Sequence, residues 1–245
     1  MTTGVPRSLE AAVEQAKDAT RAAIQAGVSR ILVDINIPEL KIMPIAQQFY
    51  PVLEELDLTF KIYFPDAGAA ALAKRDWDNP SFSIRGINEA KGRIEPDDEA
   101  FVIIEPSSVE VNDVEDFCNE ATGCYVVMLN PKLEDIATIG IGYAGRQLRD
   151  RFLSTLESCY YLQPLEGVTL LRIYPGMWQV WGETEDDNYE LLGEFPQKPS
   201  SEAIANLFEN EDPEGQGNDS SVSANRPKKA GLFAELGQFI RALTQ

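Results

Sequence analysis

The chain has 245 residues, enough to bury a full core, and sets 21 Lys+Arg against 40 Asp+Glu for a net charge of −19. A field of that sign repels nucleic-acid phosphates and anionic membranes, so the main body is not expected to bind DNA or RNA. With 0 histidines the sequence excludes Ser–His and Cys–His pairs and every histidine metal site; chemistry would have to run on carboxylates, Lys, Tyr or backbone.

The 3 cysteines, Cys118, Cys124 and Cys159, are odd in number and form no C-x-x-C, which suits a reducing compartment and core packing. Met1 to Ser8 shows no apolar h-region and no Arg-rich transit character, and no apolar run reaches the roughly 18 residues that span a bilayer. A cytoplasmic location is expected.

Pro6 and Ser8 open a helix with Ser8 as N-cap and Gly27 as its stop; Leu9, Ala12, Val13, Ala16, Thr20, Ala23 and Ile24 share one face. Residues 30–36 read as a buried strand. Residues 38–56 carry Pro44 and Pro51, which predicts a loop and a broken helix. A strand over 58–64, a helix capped by Asp66, a short edge strand over 82–87 and a strand over 100–105 follow. A helix capped by Ser107 or Ser108 runs to about Ala121, Gly123 ends it, and 124–129 form a fourth main strand. Strands separated by helices imply parallel pairing through right-handed crossovers.

Residues 142–157 read as a helix with a core stripe of Ala144, Leu148, Phe152 and Leu156 that Cys159 continues, and with an Arg146–Asp150 pair. Short strands at 160–162, 168–174, 177–182 and 189–195 then predict an antiparallel meander, with Trp178 and Trp181 facing opposite sides. The fold class is therefore α/β: a mainly parallel, Rossmann-like layered sheet with helices on its faces and a C-terminal antiparallel meander. Residues 1–199 form this domain, 200–208 a short helix, 209–227 a disordered acidic linker, and 228–245 an amphipathic helix. In that last segment Lys228 and Lys229 adjoin a stripe of Leu232, Phe233, Leu236, Phe239, Ile240 and Leu243, the pattern of a helix that docks on a membrane surface or a partner.

Two constellations bear on ligands. Gly140, Gly142 and Gly145 spell G-x-G-x-x-G before Arg146 and Arg149, yet no strand directly precedes them and no acidic residue stands where a ribose would need one. A glycine turn that lets the following helix pack is the simpler reading. The second set is Asp34, Asn36, Asp66, Glu105 and Asn130, each beside a proline where a parallel strand ends. That edge is where α/β crevices open, and oxygen ligands there suit Mg²⁺; the plainer role is stopping strands and capping turns.

Several stretches resemble a domain family of unknown biochemical function shared by cyanobacteria and chloroplasts. They are 6–13, 27–40, 149–164 and the hairpin Leu171 to Trp178, together covering roughly 6–196. That family includes a chloroplast factor for photosystem II accumulation and a domain fused to a chloroplast adenylate kinase, and the chain looks like a cyanobacterial member. The resemblance implies a non-enzymatic accessory or assembly protein of a photosynthetic (thylakoid) membrane complex. Its partner would be a membrane-protein complex or assembly factor met at the thylakoid's cytoplasmic face, with no cofactor. The alternative is a Mg²⁺-nucleotide- or phosphate-binding enzyme or sensor built on the strand-end carboxylates.

Overall fold

The computed structural model describes residues 4–89, 94–134, 143–184, 186 and 188–209. The linker and C-terminal helix expected over 209–245, with Lys228, Lys229, Leu232, Phe233, Leu236, Phe239, Ile240 and Leu243, lie outside the described residues apart from Glu209.

Helix α1 (Leu9–Gln25) starts where the Ser8 hydroxyl accepts the Ala11 N–H at 3.1 Å. It ends in a Schellman motif: Gly27, at φ 81°, and Val28 donate to the Ile24 and Ala23 carbonyls. Ala12, Ala16, Ala19 and Ala23 are wholly buried, so small side chains let this helix lie close on its neighbours. Strand β1 (Arg30–Ile35) follows, then α2 (Ile42–Phe49) and α3 (Pro51–Glu55). The loop and the broken helix expected here are both present: 36–41 are irregular, and the helix is interrupted at Tyr50. Pro44 falls in the first turn of α2 and Pro51 opens α3, positions where a helix has no use for the missing N–H.

Strand β2 (Phe60–Phe64), α4 (Ala67–Asp76) and β3 (Ser83–Gly86) come next, then β4 (Ala100–Ile104), α5 (Val111–Glu120) and β5 (Tyr125–Leu129). Helix α6 covers Tyr143–Arg151 and leads through a 3₁₀ turn, Leu153–Thr155, into β6 (Glu157–Leu165). Strands β7 (Val168–Ile173), β8 (Trp178–Glu183) and β9 (Tyr189–Phe195) precede α7 (Ser201–Glu209). The nine strands order as β3-β2-β4-β5-β1-β6-β7-β8-β9 in one open sheet, parallel from β3 to β6 and antiparallel through the β6–β9 meander.

Two boundaries differ from expectation. The helix foreseen to Glu157 stops at Arg151, because Glu157 already pairs in parallel with Ile31. Arg30 pins the intervening turn: it donates to Thr155 Oγ1 at 2.9 Å and lies 6.0 Å from the centre of the buried Phe152 ring. Helix α5 is not capped by a serine. Glu110 occupies the cap position without a side-chain bond to the helix, and its carboxylate accepts the N–H and hydroxyl of Ser107 instead.

By contact the chain falls into two units, residues 1–162 with 172–176, and 163–171 with 177–245. In the larger, β4 is buried at every position, as a strand covered on both faces must be. Tyr63, Phe101, Phe117, Met128 and Phe152 fill the core beneath α5. In the smaller, Trp178 and Val180 are buried while Trp181 is half-buried, as opposite faces of one strand require. A side chain at Gly193 would meet Leu207 of α7 at 3.2 Å, which places α7 on the Val180–Gly193 face.

One ion network ties α1 to α3. Glu55 accepts Lys17, 3.1 Å away, and Arg21; these hydrogen bonds hold its carboxyl below the ordinary carboxylate range. A depressed folded pKa gives stability that is full above the unfolded value of about 4.3 and is lost as pH falls through the lower folded one. Because Glu55 is 45 % exposed, Glu55→Gln should cost only about 0.5 kcal/mol near neutral pH. Melting curves across pH should show that difference close on acidification; a constant gap would contradict it.

Candidate functional site

Parallel pairing of β2, β4, β5 and β1 sends their carboxyl ends to one edge. Asp34, Asn36, Asp66, Glu105 and Asn130 all lie on or just beyond those ends.

Asn130 turns its side chain along β1, where Oδ1 accepts the Ile35 N–H and Nδ2 donates to the Ile35 carbonyl, both at 2.9 Å. Its own N–H reaches the Val33 carbonyl at 2.7 Å and its φ is 50°, so a buried amide extends the β1–β5 ladder after the backbone has turned away. Asparagine suits both demands: it carries one donor and one acceptor side by side, and it tolerates the left-handed region.

Asp66 accepts the Ala69 N–H at 2.9 Å as the cap of α4. Glu105, at φ 45°, donates its N–H to the Leu129 carbonyl, and its carboxylate accepts Lys132 Nζ at 3.1 Å. The Asn36 N–H continues the β1–β6 ladder onto Leu162 at 2.8 Å. Asp34, half-buried, stands in register with Tyr161. The five residues thus share an edge, and four of them terminate strands or start turns in ways the structure specifies. Among the described residues no three Asp, Glu or Cys side chains gather as a metal-ligand group.

Of the glycine fingerprint, Gly140 and Gly142 lie outside the described residues, and Gly145 is buried within α6. Arg146 is exposed and does not form the expected pair with Asp150. The arginines of α6 that form ion pairs among the described residues are Arg149, with Glu134 at 3.3 Å, and Arg151, whose fork grips Glu115 at 2.7 and 2.8 Å. Arg149 is therefore drawn towards a carboxylate of its own chain.

Sequence reasoning did not single out the opposite, amino-terminal edge of the strands. A hollow of about 230 Å³ opens there, lined by Arg30, Cys118, Asn119, Thr122 and Cys124 among others. Arg30 spans it with bonds to the Cys118 carbonyl at 3.1 Å and to Asn119 Oδ1 at 3.0 Å. Beside it Asp98, whose side chain is 2 % exposed, accepts Lys61 at 2.6 Å and the Glu95 N–H at 2.7 Å. The spacing of Lys61 and Asp98 in sequence gives no hint that β2 and β4 are neighbours, so the pair shows only once the strand order is known. Burial pushes the Cys118 and Cys159 thiols up to about 12, leaving both protonated at neutral pH and poor as nucleophiles.

Replacing Asn130 with Ala removes two hydrogen bonds from buried backbone and should lower unfolding free energy by about 2–4 kcal/mol in urea titrations. Mg²⁺-nucleotides should leave the melting temperature unchanged. A rise that vanishes in Asp34→Ala or Glu105→Ala would assign this edge to the ligand instead.

A family model described as a domain of unknown function, DUF1995, matches residues 6–206, and the chain belongs to that family. No described helix is long and apolar enough to cross a membrane.

Proposed function

We propose that this member of the DUF1995 family is a non-enzymatic accessory or assembly protein that acts on a photosynthetic, thylakoid membrane complex through protein–protein contacts. The observation that carries the reading is how the strand-end polar groups are used. At the edge where an α/β fold would open a crevice, Asn130, Asp66 and Glu105 bind the chain's own backbone or lysine. The surface left for recognition is charged and acidic, which suits steered contact with a basic protein face.

Two features of the sequence support a place beside a membrane. The likeness to chloroplast and cyanobacterial domains points to thylakoids, with the protein peripheral on their cytoplasmic face. The segment 228–245 adds Lys228 and Lys229 next to an apolar stripe, charge for attraction and area for burial. A second reading, a Mg²⁺-nucleotide or phosphate site, draws on the common edge shared by Asp34, Asn36, Asp66, Glu105 and Asn130, with Arg146 or Arg149 as the cation for a phosphate.

Affinity purification of the tagged full chain from a cyanobacterial host is the direct test. A photosynthetic membrane complex or its assembly factors should co-purify, and thylakoid flotation should weaken for a chain ending at Asn225. Recovery of the chain alone, with equal flotation of both versions, would refute the proposal.

A further inference from the structure

The smaller unit carries an apolar sheet face opposite α7. Trp181 of β8 and Leu191 of β9 are directly paired, so their side chains share that face. Leu191 is 40 % exposed and Trp181 half-buried. Trp181 donates its indole N–H to Gln179 Oε1 at 3.1 Å, and Gln179 in turn donates to Glu194 at 2.9 Å, a chain of bonds that ties the indole to the strand pair. Glu183 and Glu194, both exposed, stand at the two ends of the same face. Of the six large apolar side chains exposed among the described residues, three (Leu165, Met177 and Leu191) belong to this smaller unit. Helix α7, the one helix described in it, lies on the other side.

We propose that this Trp181–Leu191 face is the resting seat of the chain's own C-terminal segment, residues 228–245. Three observations select that occupant. The segment's apolar residues, Leu232, Phe233, Leu236, Phe239, Ile240 and Leu243, recur at helical spacing, so one face of a helix could cover the exposed strand pair. Its charge is complementary: Arg226, Lys228, Lys229 and Arg241 outweigh Glu235, and the seat is flanked by Glu183 and Glu194. On a helix Lys228 and Lys229 lie beside the amino-terminal end of the stripe, so their long side chains can reach a glutamate at one end of the seat while the stripe covers Trp181 and Leu191.

The third observation is the tether. Helix α7 ends at Glu209 within the same unit, and a flexible chain as long as 210–227 would reach about 25 Å. Attachment at that range gives an effective concentration in the millimolar range, so even a weak seat would be filled. The consequence is regulation of the docking proposed above: the stripe that meets a partner or membrane is covered until the partner displaces it. The seat stands on its own geometry, and its test needs neither membrane nor partner, so it can fail while the assembly role survives.

Acrylamide quenching of tryptophan emission reads the seat directly, because Trp77 and Trp178 are each 5 % exposed and Trp181 is the accessible indole. At low salt and micromolar protein, the quenchable component seen in a chain ending at Asn225 should be lost in the full chain. It should return with Leu191→Asp, with Leu232→Asp/Phe239→Asp, or with high salt, and a synthetic 226–245 peptide should suppress it in the truncated chain. Equal quenching of full and truncated chains would overturn the proposal. So would protection that grows with protein concentration alongside dimers in light scattering, which would assign the seat to a second copy. Protection that appears only with anionic vesicles would overturn it in favour of a membrane.

Discussion

The constraint on which the larger unit depends is the position of β1 between β5 and β6. The first strand of the chain is also the fifth of nine in the sheet, so β5 and β6, more than 90 residues later, must close on it from both sides. Non-local closure of that kind is slow and entropically costly, and the side chains at the two ends of β1 are the ones that secure it. At one end Arg30 ties the turn before β6 to the carboxyl end of α5. At the other, Asn130 replaces a missing stretch of β5 backbone with its amide. Alanine-rich α1 can then lie on the surface because nothing bulky stands between it and its neighbours.

Local physics made much of the fold legible. Ser8 and Gly27 bound α1, Asp66 caps α4, the apolar run of β4 announces a strand covered on both faces, and the parity of Trp178 and Trp181 separates their environments. What stayed hidden was set by pairing. Nothing near Glu157 says that the chain must become extended there; Ile31, far upstream, dictates it. The serines before α5 looked like caps, yet a neighbouring carboxylate claims Ser107 first. Pro44 and Pro51 announced an interrupted helix, but not that each would sit in the first turn of its own helix with the break at Tyr50.

The candidate edge shows the same division. That Asp34, Asn36, Asp66, Glu105 and Asn130 gather at one side of a parallel sheet followed from the strand pattern alone. Their tasks did not. An asparagine that supplies a ladder bond and one that waits for a ligand have the same sequence signature; only the 2.9 Å contacts to Ile35 distinguish them. The Lys61–Asp98 pair is the converse case, a nearly buried ion pair with no sequence signature, held because Asp98 Oδ2 also accepts the Glu95 N–H and Lys61 also donates to the Glu95 carboxylate.

The register shift between β1 and β6 has a wider consequence. Leu32 pairs with Ser158 but Val33 with Tyr160, so Cys159 is the extra residue of a bulge. Without it Tyr160 would turn to the opposite face, and the hydrogen bond from its hydroxyl to Gln15 of α1, whose amide also holds the Gly4 carbonyl, could not form. One inserted residue thus acts as a phase switch between the two sides of the sheet. Chain length at this point is as strongly constrained as side-chain identity: removing a single residue from 157–159 would exchange the two covered faces of the sheet for Tyr160, Tyr161 and Leu162.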